Sequence, residues 1–367
     1  MLDLSGFRDP KLGKELIARI NDIAPAALER CDGHIRLMEV CGTHTVALAR
    51  AGIRSILPEG IKLVSGPGCP VCVTANEDID TVIALSRLDD VIITTFGDMT
   101  RVPGSTSSLN EEKAAGRDIR IVYSPLDGLR CAQENPDREV IFVGVGFETT
   151  TPLIASTIKR AEMAGIENFS VFAAHKTVPH TLEALVNDPE VAINALILPG
   201  HVSTIIGRTP YEFLARDYGI PGCIMGFEPN DLLSGIAILL RMLARGEASI
   251  MNDYRRGVQD EGNVDAQATI AEAFEPCDAT WRGLGLIPDS GYRLREKYAR
   301  FDALAKFAPA IEPTIEPKGC RCGDVLRGVM DPSECPLFAT ACSPEHPIGP
   351  CMVSSEGSCA AFYKYLR

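Results

Sequence analysis

The sequence predicts an α/β protein in which two parallel-sheet α/β domains flank a cleft and a small, irregular, cysteine-rich domain follows. Three observations predict it. Between residues 35 and 246, short apolar runs rich in Val and Ile alternate with helical stretches and Gly-rich or polar loops, the pattern of parallel strands covered on both faces. Beyond 246 that alternation stops. Six of the 13 cysteines (Cys320, Cys322, Cys335, Cys342, Cys351 and Cys359) fall in the last 48 residues.

The elements follow in order. Residues 1–34 form an N-terminal segment whose span 11–29 reads as a helix. A first α/β domain is expected over 35–134, with strands at 36–40, 61–64, 91–95 and 119–123 and a helix at 75–88. Asn135 and Pro136 mark 131–138 as a hinge. A second α/β domain is expected over 135–246, with strands at 140–145, 169–173, 195–198 and 222–225 and helices at 151–164 and 232–244. The remainder, 247–367, reads as polar helices over 245–273, an irregular Gly-containing turn at 281–287, an extended linker with three prolines at 309–317, and the cysteine-rich tail. That tail lacks apolar mass for a core of its own, so an inorganic centre is expected to organise it.

Composition narrows the function. The 367 residues carry 36 basic and 49 acidic side chains, a net charge of −13. With no Lys/Arg run to neutralise phosphates, nucleic-acid binding is not expected. The most apolar helical stretch, 236–243, is interrupted by Arg241 and is far short of the ~20 residues that span a bilayer. Residues 1–14 mix acids and bases rather than forming a secretory leader. A cytoplasmic protein without membrane contact is expected, and there clustered cysteines point to metal or redox chemistry rather than stapling disulfides.

The strand ends carry the chemistry. Cys41-Gly42-Thr43-His44-Thr45 follows the first strand and places a thiol and an imidazole where open α/β sheets bind ligands. Gly66-Pro67-Gly68-Cys69-Pro70-Val71-Cys72 follows the second, and a Cys-x-x-Cys opening a helix has its thiolate favoured by the helix dipole. Cys41, Cys69 and Cys72 together offer three soft ligands, suited to iron or zinc with a coordination position left open. Asp98, in the loop 96–105, and Glu148, in 144–150, sit on the same predicted rim. The latter loop has Thr149 at the third glycine position of a dinucleotide fingerprint, and no P-loop is present, so no nucleotide cofactor is expected. Four tail thiolates would suffice for a [4Fe–4S] cube, leaving two to form a redox pair. Zinc is the rival, but the paired Cys-x₂₋₄-Cys spacing of zinc fingers is missing.

The segments CGTHT (41–45), GPGCPVC (66–72), FGDMTRVPGS (96–105), GFETTTP (146–152) and the tail CRCGDVLRG…CPLF…GPCMVSSEGSC occur in order. Together they resemble the HypD family of [NiFe]-hydrogenase maturation factors from about residue 12 to the C-terminus. The resemblance implies a scaffold on which the Fe(CN)2CO group is assembled, with a HypC-like chaperone helping to hold the iron and a HypE-like partner delivering cyanide. The hydrogenase large subunit is served indirectly. It implies that Cys41 is an iron-facing thiolate, that Cys69 and Cys72 are further ligands of the mononuclear iron or an electron-supplying dithiol, and that His44, Asp98 and Glu148 move protons or orient. The tail also resembles the cluster environment of ferredoxin–thioredoxin reductase, which implies [4Fe–4S] ligation by Cys320, Cys335, Cys342 and Cys359, with Cys322 and Cys351 as the redox pair.

Two other classes compete. A stand-alone thiol–disulfide oxidoreductase would use Cys69 and Cys72 on disulfide substrates and would not need Cys41. In an interaction module with a purely structural cluster, Cys69 and Cys72 would be dispensable, whereas chelating the tail metal would unfold the third domain.

Overall fold

The computed structural model describes residues 5–366. All eight predicted strands form, within two residues of the expected ends, as β1 (Ile35–Glu39), β2 (Ile61–Ser65), β3 (Val91–Thr95), β4 (Asp118–Ile121), β5 (Glu139–Gly144), β6 (Phe169–Ala173), β7 (Ala195–Pro199) and β8 (Gly222–Met225). A ninth, β9 (Ile250–Asn252), extends the first sheet, and β10 (Phe274–Trp281) and β11 (Gly285–Leu294) form an antiparallel hairpin. The fold class is therefore α/β with two parallel sheets and a cysteine-rich C-terminal region.

The grouping of strands corrects the expected boundary. One sheet has the order β2-β1-β7-β8-β9 and the other β4-β3-β5-β6, so the second sheet is an insertion between β2 and β7, not a domain that follows the first. The division expected at 134/135 falls inside the inserted sheet. The expected hinge is also fixed: Cys131 lies in the helix Pro125–Glu134, and Arg138 donates to Asp118 at 2.6 Å and to the Val91 carbonyl at 3.1 Å. The reason is physical. Strands buried on both faces are interchangeable by hydrophobic pattern, and only the side-by-side packing decides that Leu37 pairs with Ala195.

Beyond 246, only Val264–Ala273 of the expected polar helices forms. The span 281–287 is the tip of the hairpin rather than an irregular turn. Pro276, Pro288, Asp289 and Gly291 within its strands, and a register shift between Cys277 and Ala279, disguise it in the sequence. The proline-rich linker carries no regular element. It is pinned where Ile315 donates to Ser105 Oγ at 2.7 Å and accepts from Asn76 at 2.7 Å.

The helices Pro10–Arg30 and Pro229–Arg245 cover one face of the first sheet around Leu37, Ile197, Leu232 and Ile236. A further core lies between the lobes. It unites Met38, Val64 and Leu198 of the first sheet with Phe147, Val178 and Trp281, and with Cys69, Cys72, Cys322 and Cys351. Thus the cysteines of two distant motifs are buried in one apolar junction. Among the described residues no helix is long and apolar enough to cross a membrane.

Candidate functional site

Cys41 is the N-cap of the helix Gly42–Arg50, in extended conformation directly after β1. Parallel pairing of β1 with β2 brings Glu39 beside Ser65, so the loops leaving both strands meet at their carboxyl ends. Gly66 donates to the Glu39 carbonyl at 2.8 Å, and Gly42 donates to the Gly68 carbonyl at 2.8 Å. A Cβ on Gly68 would collide with the Cys41 backbone, which is why a glycine precedes Cys69. The Cys41 thiol is buried, and that burial pushes its pKa up to about 11. The His44 backbone N–H opposes the shift and the nearby Glu356 carboxylate adds to it. Burial therefore keeps this thiol protonated near neutral pH, and a metal that bound it would displace the proton.

Cys69 and Cys72 are 3% and 0% exposed and are joined as a disulfide. The three-thiolate set expected from Cys41, Cys69 and Cys72 is therefore not assembled in this form: the junction holds one thiol beside one disulfide. Among the described residues, no group of three or more His, Cys, Asp or Glu side chains is disposed to hold a metal ion.

The other predicted residues separate. His44 is fully buried, and burial lowers its pKa to about 4. Its Nε2 lies 3.1 Å from both the Met225 and Gly226 carbonyls, so this nitrogen carries the proton and donates to them, while Nδ1 has no partner. The ring stacks on Phe227 at 4.7 Å, and His201 stacks on Phe227 at 4.0 Å. His44 is thus a neutral tether between the Cys41 helix and the loop after β8. Glu148 is 2% exposed; one carboxylate oxygen accepts from the Val178 N–H at 2.9 Å and the other is unpartnered. Burial pushes its pKa up to about 7. Buried Tyr211 feels both Glu148 and Cys41, which add to the rise that burial imposes on its pKa. Asp98 is not drawn into this junction. It is partly exposed and pairs with Arg101 at 3.4 Å, and it is Arg101 that reaches the tail, donating to the Val353 carbonyl at 2.7 Å.

Two contributors escaped the sequence reading. Glu356 accepts from Thr43 Oγ1 at 2.6 Å and packs its backbone against Gly42. It lies inside the quoted tail segment GPCMVSSEGSC, but nothing there marks it as a partner of the Cys41 loop. Tyr211 lay in a stretch with no motif at all.

All six tail cysteines line one cavity, walled by Val325, Leu337, Phe338 and Met352. The Cys322 and Cys351 sulfurs are 2.6 Å apart. Hydrogen bonds from Cys320 and Cys351 hold the Cys322 thiol below its ordinary range, and the Cys351 thiol is pushed up by the same bond. Cys342 Sγ accepts the Ile348 N–H at 3.3 Å, and Gly349 leaves room for the Cys320 sulfur. Soft donors surrounding an apolar space, with an N–H aimed at sulfur, fit an iron–sulfur cube better than a single ion. The tail meets the disulfide directly: the helices Pro70–Val73 and Pro350–Val353 pack together.

Fold and site define a two-sheet α/β protein whose lobes close on a cysteine-lined junction. The chain belongs to the HypD family. The family model described as "HypD: Hydrogenase formation hypA family" matches residues 11–366. The chain is 46% identical over 369 residues to hydrogenase maturation factor HypD of Rhodobacter capsulatus, covering 98% of this chain and 97% of that one. It is 44% identical over 364 residues to HypD of Escherichia coli, with 98% and 97% coverage. For HypD of Azotobacter vinelandii the values are 45% over 368 residues, with 98% and 96% coverage.

Proposed function

We propose that this chain is a hydrogenase maturation factor that serves as the scaffold for assembly of the Fe(CN)2CO group. The observation that carries the reading is that the Cys69–Cys72 disulfide and the Cys322/Cys351 pair share one buried core, with the Cys41 loop bonded to the loop of Cys69 through Gly42 and Gly68. Iron enters as cargo. Cys41 gives up its raised proton to bind it, the His44 backbone N–H steadies the thiolate, and a HypC-like partner supplies the complementary thiolate.

Cyanide arrives on a HypE-like partner as a thiocyanate. Releasing it takes two electrons: the reduced Cys69/Cys72 pair becomes a disulfide, the carrier S–C bond breaks, and the carrier thiol and cyanide leave with the two thiol protons. That step leaves Cys69 and Cys72 in the disulfide form. Cys322 and Cys351 restore the dithiol by exchange. When bound by Cys320, Cys335, Cys342 and Cys359, a [4Fe–4S] cluster would supply single electrons to this end of the protein.

The test is an infrared spectrum of the anaerobically isolated protein with its co-purifying partner. Bands in the CO and cyanide stretching region that vanish in Cys41→Ala support the scaffold. A tail loaded with iron and sulfide but without such bands rejects it.

A further inference from the structure

We propose that Arg282, at the tip of the β10–β11 hairpin, is a positioning residue that clamps the Cys69–Cys72 segment against the helix carrying Cys322 and so sets how fast the two cysteine pairs exchange. The inference rests on the relay reading above. Arg282 is 5% exposed. Its Nε donates to the Thr74 carbonyl at 3.0 Å, its Nη2 to Asn76 Oδ1 at 3.0 Å, and its backbone N–H to the Val73 carbonyl at 2.9 Å. One residue therefore holds the backbone that leaves Cys72. Its remaining arm pairs with Glu316 of the linker at 3.0 Å.

The next residue grips the other side. Gly283, at φ +76°, lies so close to Gly323 that a Cβ on either would collide with the other's backbone, and Gly323 directly follows Cys322. Trp281 anchors the tip from below, donating to Ser290 Oγ at 2.8 Å and stacking on Phe147 at 6.0 Å. A buried guanidinium is a poor choice for stability alone, since well-packed apolar residues often do as well. A fixed fork that spans two segments is what Arg does better than any apolar residue.

The exchange itself balances. The Cys69–Cys72 S–S bond breaks, one forms between Cys322 and Cys351, and two electrons and two protons pass from the tail thiols to the released pair. It proceeds by attack of one sulfur on another, so its rate depends steeply on their approach.

The test uses the full chain, isolated anaerobically, as wild type, Arg282→Gln and Arg282→Lys. Hydrogen exchange is followed at 69–76 and 322–326, and the rate at which Cys69 and Cys72 become open to thiol labelling is followed after adding dithionite. Arg282→Gln is expected to raise exchange at both segments together and to slow labelling about tenfold, with Arg282→Lys recovering part of both. Hydrogen exchange that rises only in the hairpin, or a labelling rate unchanged in Arg282→Gln but slowed by Cys322→Ser, overturns the proposal. If Arg282→Gln does not fold, Glu316→Gln, which loosens only the outer partner, is expected to slow labelling about threefold, and no change overturns the proposal. A Cys322→Ser control separates the two ideas. If wild-type labelling is unaffected by it while both segments still loosen together in Arg282→Gln, the clamp stands and the relay falls.

Discussion

The Cys72 sulfur lies 3.9 Å from the carbonyl of Pro350, the residue immediately before Cys351. A contact across 278 residues of sequence joins the disulfide to the six-cysteine tail. If that contact is a route for electrons, Cys351→Ser leaves Cys69–Cys72 oxidised under dithionite while the tail keeps its iron. Thiol titration together with iron and sulfide analysis checks both halves. Loss of tail iron with Cys69 and Cys72 still reducible would mean the reverse assignment.

Gly68→Ala should damage the site more than the fold. The added methyl meets the Cys41 backbone, and overpacking of this kind costs about 1–3 kcal/mol. Urea unfolding measures that loss. The diatomic-ligand bands are expected to fall much further than the folded fraction, because the shift lands on Cys41 itself.

Stability should depend on pH through opposed groups. His44 and His175 have folded pKa values lowered to about 4 and about 3 by burial, so they stabilise above the unfolded value of about 6.5 and that contribution is lost as pH falls. Glu148 is raised to about 7 by burial, so its contribution is full below the unfolded value of about 4.5 and is lost as pH rises through about 7. Over roughly pH 4.5–6.5 the slopes therefore oppose one another. Glu148→Gln removes the falling arm, and denaturant unfolding across this window is expected to show stability climbing more steeply with pH. An unchanged profile would show that Glu148 ionises normally.

Removing Arg54 strands a charge. Its guanidinium pairs with Glu39, which is 0% exposed, and Ser65 Oγ donates to the same carboxylate oxygen at 3.2 Å. Breaking one side of such a buried pair costs about 3–5 kcal/mol. Arg54→Met is expected to show that loss in urea, and Arg54→Met combined with Glu39→Gln to recover much of it.

The sequence showed where the strands lie because each is a continuous apolar run between loop signals, and burial on both faces enforces that pattern. It could not show which strands pair. Nothing in Ile35–Glu39 distinguishes β7 from β3 as a neighbour, and the insertion follows from packing alone. The cysteine motifs were legible for a similar reason, since sulfur chemistry is written in residue type and spacing. The surroundings were not. That His44 is tethered by two carbonyls, that Asp98 turns toward Arg101, and that Glu356 returns from the tail to Thr43 are all consequences of distant chain segments meeting.

The inserted sheet also dictates an order of assembly. β1 pairs with β7, so that Leu37 waits for Ala195, whereas β3 to β6 need only one another. Non-local pairings of this kind form late, and domains emerging from the ribosome fold as they complete. The inserted sheet can thus pair while the host sheet is half made, although its core closes only when Ile270, Phe274, Tyr298 and Phe301 arrive. Until β7 and the carbonyls of Met225 and Gly226 arrive, Cys41 has neither its cover nor the tether of His44. The thiol therefore lacks that cover until the chain has been made at least as far as Gly226.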